Sequence, residues 1–357
     1  MTMTKWFLLA ALAAAMAVPF SRPVIAAEFA DVLDTPALRS DLAAQSTLTG
    51  MTRAGERLVA VGQRGHIVYS DDAGQHWQQA QVPVSSDLVA VNFPSPQQGW
   101  AVGHDGVVLH STDAGQSWTR QLDGRQVGPL LLAYYQRQLA QTPDDTELQA
   151  RVDEARRMVE DGADKPFLDV WFDNEQVGYI VGAFNLILRT DDGGQSWTPL
   201  LDRTDNPGAL NLYAIRAVGS ELFIVGEQGL VLKRDRASGR FNAIPTPYNG
   251  SFFGITGKPG AVLVFGLRGN VFRSTDSGAS WTKVELGLAL SMTAASVTND
   301  GRIVLVSQAG HVLVSSDDGA SFHPLPNTLA PTAAAQVTTG GALVLAGTRG
   351  LRQAPLE

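Results

Sequence analysis

Residues 58–77 read LVAVGQRGHIVYSDDAGQHW, and this stretch decides the fold because its pattern returns along the chain. The intact copies join an apolar run, typically ending in Val-Gly, to a second apolar run that ends in Ser/Thr-x-Asp-x-Gly-x-x-Trp or its Phe variant. Recurrence at a fixed period indicates a repeat architecture. The copies lie at 58–77, 99–118, 178–197, 222–241 (degenerate), 262–281, 304–322 and 343–355 (truncated).

The spacing of the copies predicts one propeller blade per copy. The residue before the tight turn is separated from its next equivalent by 41, 79, 44, 40, 41 and 40 residues. About 40 residues hold four short strands, which is the size of a blade. We therefore predict an all-β, seven-bladed β-propeller of four-stranded blades over 27–357. The seventh copy stops early, so we expect an N-terminal strand at 28–33 to close the last blade.

The second half of each copy is an Asp box, and its role is predicted to be structural. Aspartate accepts hydrogen bonds from turn amides, glycine allows positive φ, and the aromatic ring is buried between sheets. A calcium site is disfavoured because the aspartates lie in different blades. We therefore predict neither metal nor cofactor. The box residues are Asp72, Gly74, Trp77, Asp113, Gly115, Trp118, Asp192, Gly194, Trp197, Asp276, Gly278, Trp281, Asp317, Gly319 and Phe322.

The doubled gap between blades 2 and 3 contains a predicted helical-hairpin insertion at 124–166. One helix is expected over 129–141, and a second from the Thr-Pro-Asp-Asp start at 142–145 to Gly162. Residues 130–135 carry more apolar surface than one stripe of the second helix covers. We expect part of this surface, Tyr134 or Tyr135 included, to dock a partner; the alternative is that the hairpin only packs on the propeller.

Three copies place an arginine in the same hairpin, at Arg64, Arg268 and Arg349. Equivalent hairpins of a propeller open on the same face. The three side chains therefore form a candidate basic patch for an acidic peptide or a lipid headgroup, since arginine binds carboxylates and phosphates bidentately. The alternative is that they are solvated turn arginines.

Residues 1–26 are predicted to be a signal peptide, with Lys5, an apolar run at 6–18 and small residues at 24–27. An uncleaved membrane anchor is the alternative. The chain has no cysteine, which excludes disulfides and lipid attachment through an N-terminal cysteine. We expect a periplasmic protein that does not span the membrane after cleavage. Loss of Lys5 and Arg22 leaves 25 basic against 35 acidic residues, which disfavours nucleic acid as a partner.

The repeated boxes resemble those of the Asp-box (BNR) propellers, and the coupled V-G-x-x-G half narrows the resemblance to the Ycf48-like family. Members of that family are photosystem II assembly factors that bind a membrane protein during its biogenesis. The resemblance implies an exported, non-enzymatic, protein-binding scaffold, acting as an assembly or accessory factor for a membrane protein complex or an envelope transport system. The missing lipid-attachment cysteine and the long insertion depart from the family pattern, so the partner and the oligomeric state stay open.

Two other functions are open alternatives. The first is a carbohydrate or small-ligand module that uses the central funnel, and aromatic residues crowding the funnel would favour it. The second is a sialidase-like glycoside hydrolase, which needs three arginines, a Tyr–Glu pair and an acid/base residue. Its Arg-Ile-Pro motif is absent, the nearest string being Ala243-Ile244-Pro245. No zinc-binding or nucleophile motif is present.

Overall fold

The computed structural model describes residues 30–326 and 329–356, so the predicted signal peptide lies outside the described residues. Seven antiparallel sheets follow one another along the chain, and in each the strand order is the chain order. We number them blades 1 to 7. Blades 1 to 3 contain β1 (Leu48–Ala54), β2 (Arg57–Gly62), β3 (Ile67–Ser70), β4 (Gln78–Gln79); β5 (Leu88–Asn92), β6 (Gly99–Gly103), β7 (Val108–Ser111), β8 (Thr119–Leu122); β9 (Phe167–Phe172), β10 (Gly178–Gly182), β11 (Ile187–Thr190) and β12 (Thr198–Pro199). Blades 4 to 7 contain β13 (Leu212–Val218), β14 (Glu221–Gly226), β15 (Val231–Arg234), β16 (Phe241–Ala243); β17 (Phe252–Lys258), β18 (Ala261–Gly266), β19 (Val271–Ser274), β20 (Thr282–Val284); β21 (Met292–Val297), β22 (Ile303–Ser307), β23 (Val312–Ser315), β24 (His323–Pro324); β25 (Thr332–Val337), β26 (Leu343–Gly347) and β27 (Gly350–Ala354).

The seven sheets form a ring around a central channel. The first strand of each blade contacts the first strand of the next, and β25 contacts β1. The second strands are buried on both faces between neighbouring blades, which explains their continuous apolar sequences. The first strands line a channel of about 260 Å³. This arrangement is that of a seven-bladed β-propeller.

Polar side chains join neighbouring first strands. They accept hydrogen bonds from the backbone of the next blade and so satisfy amides that have no partner within their own sheet. The bonds are Phe172 N–H to Asn92 Oδ1 at 2.9 Å, Ile215 N–H to Asp169 Oδ2 at 2.8 Å and Val337 N–H to Ser296 Oγ at 3.1 Å.

The predicted closing strand at 28–33 is wrong over its described part. Within residues 30–356, blade 7 has three strands, and residues 31–34 form a turn. This segment lies on blades 1 and 2 instead, where Leu33 is buried and the Val32 carbonyl accepts a 2.8 Å hydrogen bond from Ser85. Burial of Leu33 stabilises the segment in this position, and Asp34 forms ion pairs with blade 2 and with the insertion. Together these contacts outweigh strand pairing along the edge of blade 7.

Among the described residues, blades 1 and 7 meet through side-chain packing and share no strand. Leu48 and Ala60 of blade 1 pack with Ala334 and Ala346 of blade 7 in one buried cluster. The Ala43 side chain, from the segment before β1, completes the cluster. Packing therefore closes the ring.

The insertion forms the predicted helical hairpin, with different starting points. Helix α1 spans Gly124–Leu139 and begins at an Asp123 capping box with Gln126, five residues before the predicted start. Helix α2 spans Thr146–Asp161, and its N-cap is Asp145 rather than the predicted Thr142. Gly162 ends α2 with φ 76°, as expected. Within the described residues, neither helix is long and apolar enough to cross a membrane.

Each Asp box closes its turn through one recurring hydrogen-bond set. In blade 2 the Ser111 hydroxyl donates to Asp113 at 2.8 Å and accepts from Gly115 N–H at 2.9 Å. Asp113 also accepts from Ser117 N–H at 3.0 Å, and Trp118 Nε1–H donates to the Gly115 carbonyl at 3.1 Å. The hydroxyl–aspartate and hydroxyl–glycine bonds recur in the other four boxes.

Because of the lowered pKa values of the Asp-box carboxyl groups, we expect the fold to lose stability in acid. Hydrogen bonds from Ser280, from both its hydroxyl and its amide, lower the pKa of Asp276 to about 2. A carboxyl whose folded pKa is depressed stabilises the fold above its unfolded pKa of about 3.9, and loses that effect as pH falls through the folded value. We expect Asp276→Ala to lower the Tm at pH 7 and to change it much less at pH 2, measured by circular dichroism.

The control for this prediction is Glu175→Gln, a change to an exposed acid outside the boxes. It should leave the Tm unchanged at both pH values. An Asp276→Ala penalty of equal size at pH 7 and pH 2 would show that the charge of the carboxylate is not responsible.

Candidate functional site

One face of the propeller carries the turns between second and third strands and the links between blades; we call it the turn face. At the centre of five of these turns, a residue other than glycine adopts left-handed φ. Such a backbone costs about 1–2 kcal/mol and needs support from its surroundings. The five are Arg64 (φ 56°), Asp105 (56°), Phe184 (54°), Gln228 (53°) and Arg268 (56°).

Side chains from the following blade hold three of these turns. Arg64 N–H donates to Asp87 at 2.8 Å, Phe184 N–H to Asn211 at 2.8 Å and Arg268 N–H to Ser291 at 3.3 Å. Each acceptor directly precedes the first strand of its blade. The turns are therefore rigid supports, and the side chains of Arg64, Phe184 and Arg268 are exposed.

The three arginines singled out from the sequence all lie exposed on the turn face. Arg64 and Arg349 occupy the turns of blades 1 and 7, which are neighbours in the ring. Arg268 occupies the turn of blade 5, with blade 6 between it and Arg349. The basic positions thus span one sector, from blade 5 through blade 7 to blade 1.

Aromatic side chains occupy the adjoining sector, and sequence reasoning missed them. Phe184 is 62% exposed, with Lys165 Nζ at 5.7 Å from its ring centroid. Tyr213 and Phe253 line the channel entrance and meet edge to face, with centroids 5.7 Å apart. Phe184 stands at the repeat position of Arg64, so a comparison of that column across all copies would have found it.

Glu227, the acidic residue in the turn of blade 4, is hydrogen-bonded to neighbouring residues. Glu227 accepts hydrogen bonds from Asn211 N–H at 2.8 Å, from Asn211 Nδ2 at 3.3 Å and from the Tyr213 hydroxyl at 3.3 Å. Burial raises the pKa of Tyr213, so its hydroxyl remains a donor at neutral pH. Glu227 therefore orients the aromatic entrance.

The insertion is tied to the turn face at its first helical turn. Arg125 of α1 pairs with Asp34 and with Asp123, each at 2.8 Å. Arg125, with Arg120, lowers the pKa of Asp34 to about 2. The N-terminal segment, blade 2 and the insertion thus meet around one charged cluster.

The two tyrosines predicted to dock a partner differ in exposure. Tyr135 is 3% exposed and packs beneath Arg151, so its ring belongs to the interior of the insertion. Tyr134 is half-buried and meets Tyr135 edge to face at 5.1 Å. One buried cluster joins Leu131 and Tyr135 to Phe167 and Trp197 of blade 3. The propeller therefore covers most of the apolar surface that the sequence assigned to a partner.

Metal ligands do not gather on this face. Among the residues that the structure describes, no group of three or more His, Cys, Asp or Glu side chains is placed to hold a metal ion. The turn face carries both exposed arginines and exposed aromatic surface, and this combination suits binding of a chain segment.

Solved propellers share this architecture. The chain matches "YCF48 bound to D1 peptide" with a TM-score of 0.62 at 16% identity, over 87% of this chain and 93% of that one. It matches "YCF48 from Cyanidioschyzon merolae" with a TM-score of 0.60 at 16% identity, over 87% and 95%. A streptogramin B lyase gives 0.64 at 13% identity, over 91% and 99%. At these identities the similarity shows the fold alone.

The sequence comparisons identify the family. A photosystem II assembly lipoprotein Ycf48 from Synechococcus sp. (strain CC9902) is 29% identical over 157 residues, which cover 43% of this chain and 46% of that protein. Thus the alignment spans about half the length of the curated relative. Residues 42–133 and 149–328 match the family described as photosynthesis system II assembly factor YCF48. Because these two matches cover most of the chain, the protein belongs to the Ycf48 family of assembly factors.

Proposed function

We propose that this protein is an exported, non-enzymatic scaffold that binds an acidic, extended segment of a membrane protein on its turn face. It serves as an assembly or accessory factor for the complex to which that membrane protein belongs. The observation that carries the proposal is the placement of Arg64, Arg268 and Arg349 on the same face that exposes Phe184. The protein works in the periplasm, reached through its N-terminal leader.

The chemistry of the face supports a peptide ligand. Guanidinium groups bind carboxylates bidentately, which gives both affinity and orientation. Apolar side chains of the same segment would cover Phe184 and the Tyr213–Phe253 entrance. One YCF48 structure is described as bound to D1 peptide, which supports a peptide ligand for this chain.

The test is crosslinking in the exporting cell, followed by mass spectrometry. The full chain should crosslink through the turn face to a membrane protein. The triple variant Arg64→Glu/Arg268→Glu/Arg349→Glu should reduce that crosslink by at least about tenfold, since each charge-assisted bond is worth about 1.5–3 kcal/mol. Binding to the purified partner should weaken as salt rises.

Arg302→Glu is the matched control, because this arginine lies in the hairpin between β21 and β22 on the opposite face. It should crosslink as the wild type does. Undiminished capture by the triple variant, or crosslinks confined to the opposite face, would refute the proposal.

A small-ligand function is the second candidate, and the Tyr213–Phe253 pair favours it. The channel volume of about 260 Å³ lies just below the usual 300–1,000 Å³ of ligand pockets. The double variant Tyr213→Ala/Phe253→Ala distinguishes the small-ligand function from the peptide-binding function. Loss of binding to a carbohydrate array, with partner crosslinking unchanged, would favour the small-ligand function.

A further inference from the structure

The degenerate fourth repeat reverses the charge of its box. Aligned by the repeat register, Arg234 stands where other boxes have serine or threonine, Arg236 where they have aspartate, and Ser238 where they have glycine. The five hydroxyl residues at the Arg234 position are at most 2% exposed. A long cation therefore replaces a small buried hydroxyl, in a single blade.

The turn of blade 4 is rebuilt without these arginines. Asp235, one residue away in register, accepts from Ser238 N–H at 2.7 Å and from the Ser238 hydroxyl at 2.6 Å. Gly239 N–H donates to the Asp235 carbonyl at 2.9 Å, and Asp235 N–H donates to the Arg240 carbonyl at 2.8 Å. Because Asp235 holds the turn, the side chains of Arg234 and Arg236 have no role in closing it.

Loss of the box glycine also changes which residues cover the side of blade 3 that faces blade 4. In other gaps the box glycine packs against a second-strand side chain of the preceding blade. A Cβ on Gly319 would lie 2.5 Å from Leu263, and one on Gly115 would lie 3.3 Å from Val59. The equivalent residue facing blade 4 is Tyr179, and no box glycine covers it.

Two guanidinium groups lie near the ring of Tyr179. The Cζ atoms of Arg189 and Arg234 are 5.8 Å and 5.9 Å from its ring centroid. Its hydroxyl and the Nε of both arginines are buried and have no hydrogen-bond partner among residues 30–326 and 329–356. Burial raises the pKa of Tyr179, which keeps the hydroxyl protonated. The three unpaired groups are all potential donors.

Arg234 also lines an open cavity of about 450 Å³, which we call the blade-4 pocket. The other lining residues are Asp173, Ala217, Gly219, Ser220, Glu221, Leu222 and Arg236. Arg236 contacts the Ser220 carbonyl and lies 3.9 Å from Glu221, which also pairs with Lys233 at 3.3 Å. Asp173 accepts from Trp171 Nε1–H at 2.9 Å. Within the described chain, Arg234 has no ion-pair partner, although Asp173 and Glu221 line the same pocket.

We propose that the blade-4 pocket binds a phosphate or carboxylate oxyanion, with Arg234 as the principal ligand and Arg236 as the second. A planar guanidinium presents parallel N–H donors that match both oxyanions. The carboxylates on the pocket wall limit the ligand to one small anionic group. The site lies on the Asp-box face, opposite the turn face, and is independent of the partner surface proposed above.

Isothermal titration calorimetry on the full chain tests the proposal with inorganic phosphate and with succinate as probes. We expect binding of at least one, with a Kd of about 1 mM or tighter. Arg234→Gln should weaken it at least about tenfold. Arg234→Ser/Arg236→Asp, which restores the residues of the other boxes, should abolish it. Melting temperatures check that each variant is folded.

Phosphatidylglycerol vesicles form the second arm of the experiment. Vesicle binding that Arg234→Gln removes assigns the oxyanion to a lipid headgroup; binding of the free anions alone assigns a soluble ligand. The control Arg302→Gln should bind as the wild type does. The proposal is overturned if folded Arg234→Gln binds with wild-type affinity, or if the wild type binds none of the three probes. The turn-face triple variant should keep its phosphate or succinate binding, which separates this proposal from the proposed function.

Discussion

Trp118→Ala is expected to cost about 3–5 kcal/mol of unfolding free energy, as large-to-small changes of buried aromatic residues do. Trp118 is 4% exposed and meets Phe93 edge to face with centroids 5.8 Å apart. Its removal would leave a void between blades 1 and 2. Equilibrium urea unfolding, followed by circular dichroism, measures the change.

Trp77→Ala is the matched control for this void. Trp77 donates the same box hydrogen bond, from Nε1–H to the Gly74 carbonyl at 3.1 Å, but its ring is half-buried. Its replacement should therefore cost clearly less than that of Trp118. Equal costs would mean that the box hydrogen bond, rather than burial of the ring, stabilises the blade.

Gly103→Ala is expected to cost about 3 kcal/mol through overpacking. The backbone at Gly103 is extended, with φ −173°, so its conformation suits any residue. The obstacle is space, because a Cβ there would lie 2.1 Å from the Asp87 carbonyl oxygen. In the six copies that carry it, the first glycine of V-G-x-x-G thus lets the second strand approach the backbone at the start of the first strand. Urea unfolding again gives the free energy.

Gly341→Ala separates crowding from backbone strain. Gly341 has φ 85°, and a Cβ there would meet nothing within 4 Å. Its substitution should cost only about 1 kcal/mol, the penalty of left-handed backbone. If Gly103→Ala costs no more unfolding free energy than Gly341→Ala, the close approach of the strands does not explain why the motif repeats a glycine at this position.

The repeat predicted the number and order of blades because each copy carries its own turn signals in one register. Local signals failed where long-range contacts decide. Gly124 and Gly128 suggest breaks in a helix, yet both lie in α1. A Cβ on Gly128 would lie 2.9 Å from the α2 backbone, so this glycine permits the two helices to approach closely. The segment at 28–33 likewise matched a strand in composition, while burial of Leu33 placed its described part elsewhere.

The site was only partly predictable from the sequence. Arg64, Arg268 and Arg349 were identifiable because their repeat position is a turn that opens on one face. Tyr135 was misplaced because amphipathic patterning does not show that blade 3 covers the insertion. The lack of an ion-pair partner for Arg234 among the described residues depends on which groups surround it in space, and periodicity carries no such information.

The contiguous build of every blade has a consequence for how this chain can evolve. Each sheet is formed by neighbouring stretches of sequence, and among the described residues side-chain packing joins blade 7 to blade 1. Duplication or deletion of one repeat within the gene therefore adds or removes a whole blade without splitting another. The surviving copies are then free to diverge one at a time, as the fourth has done at Arg234 and Arg236.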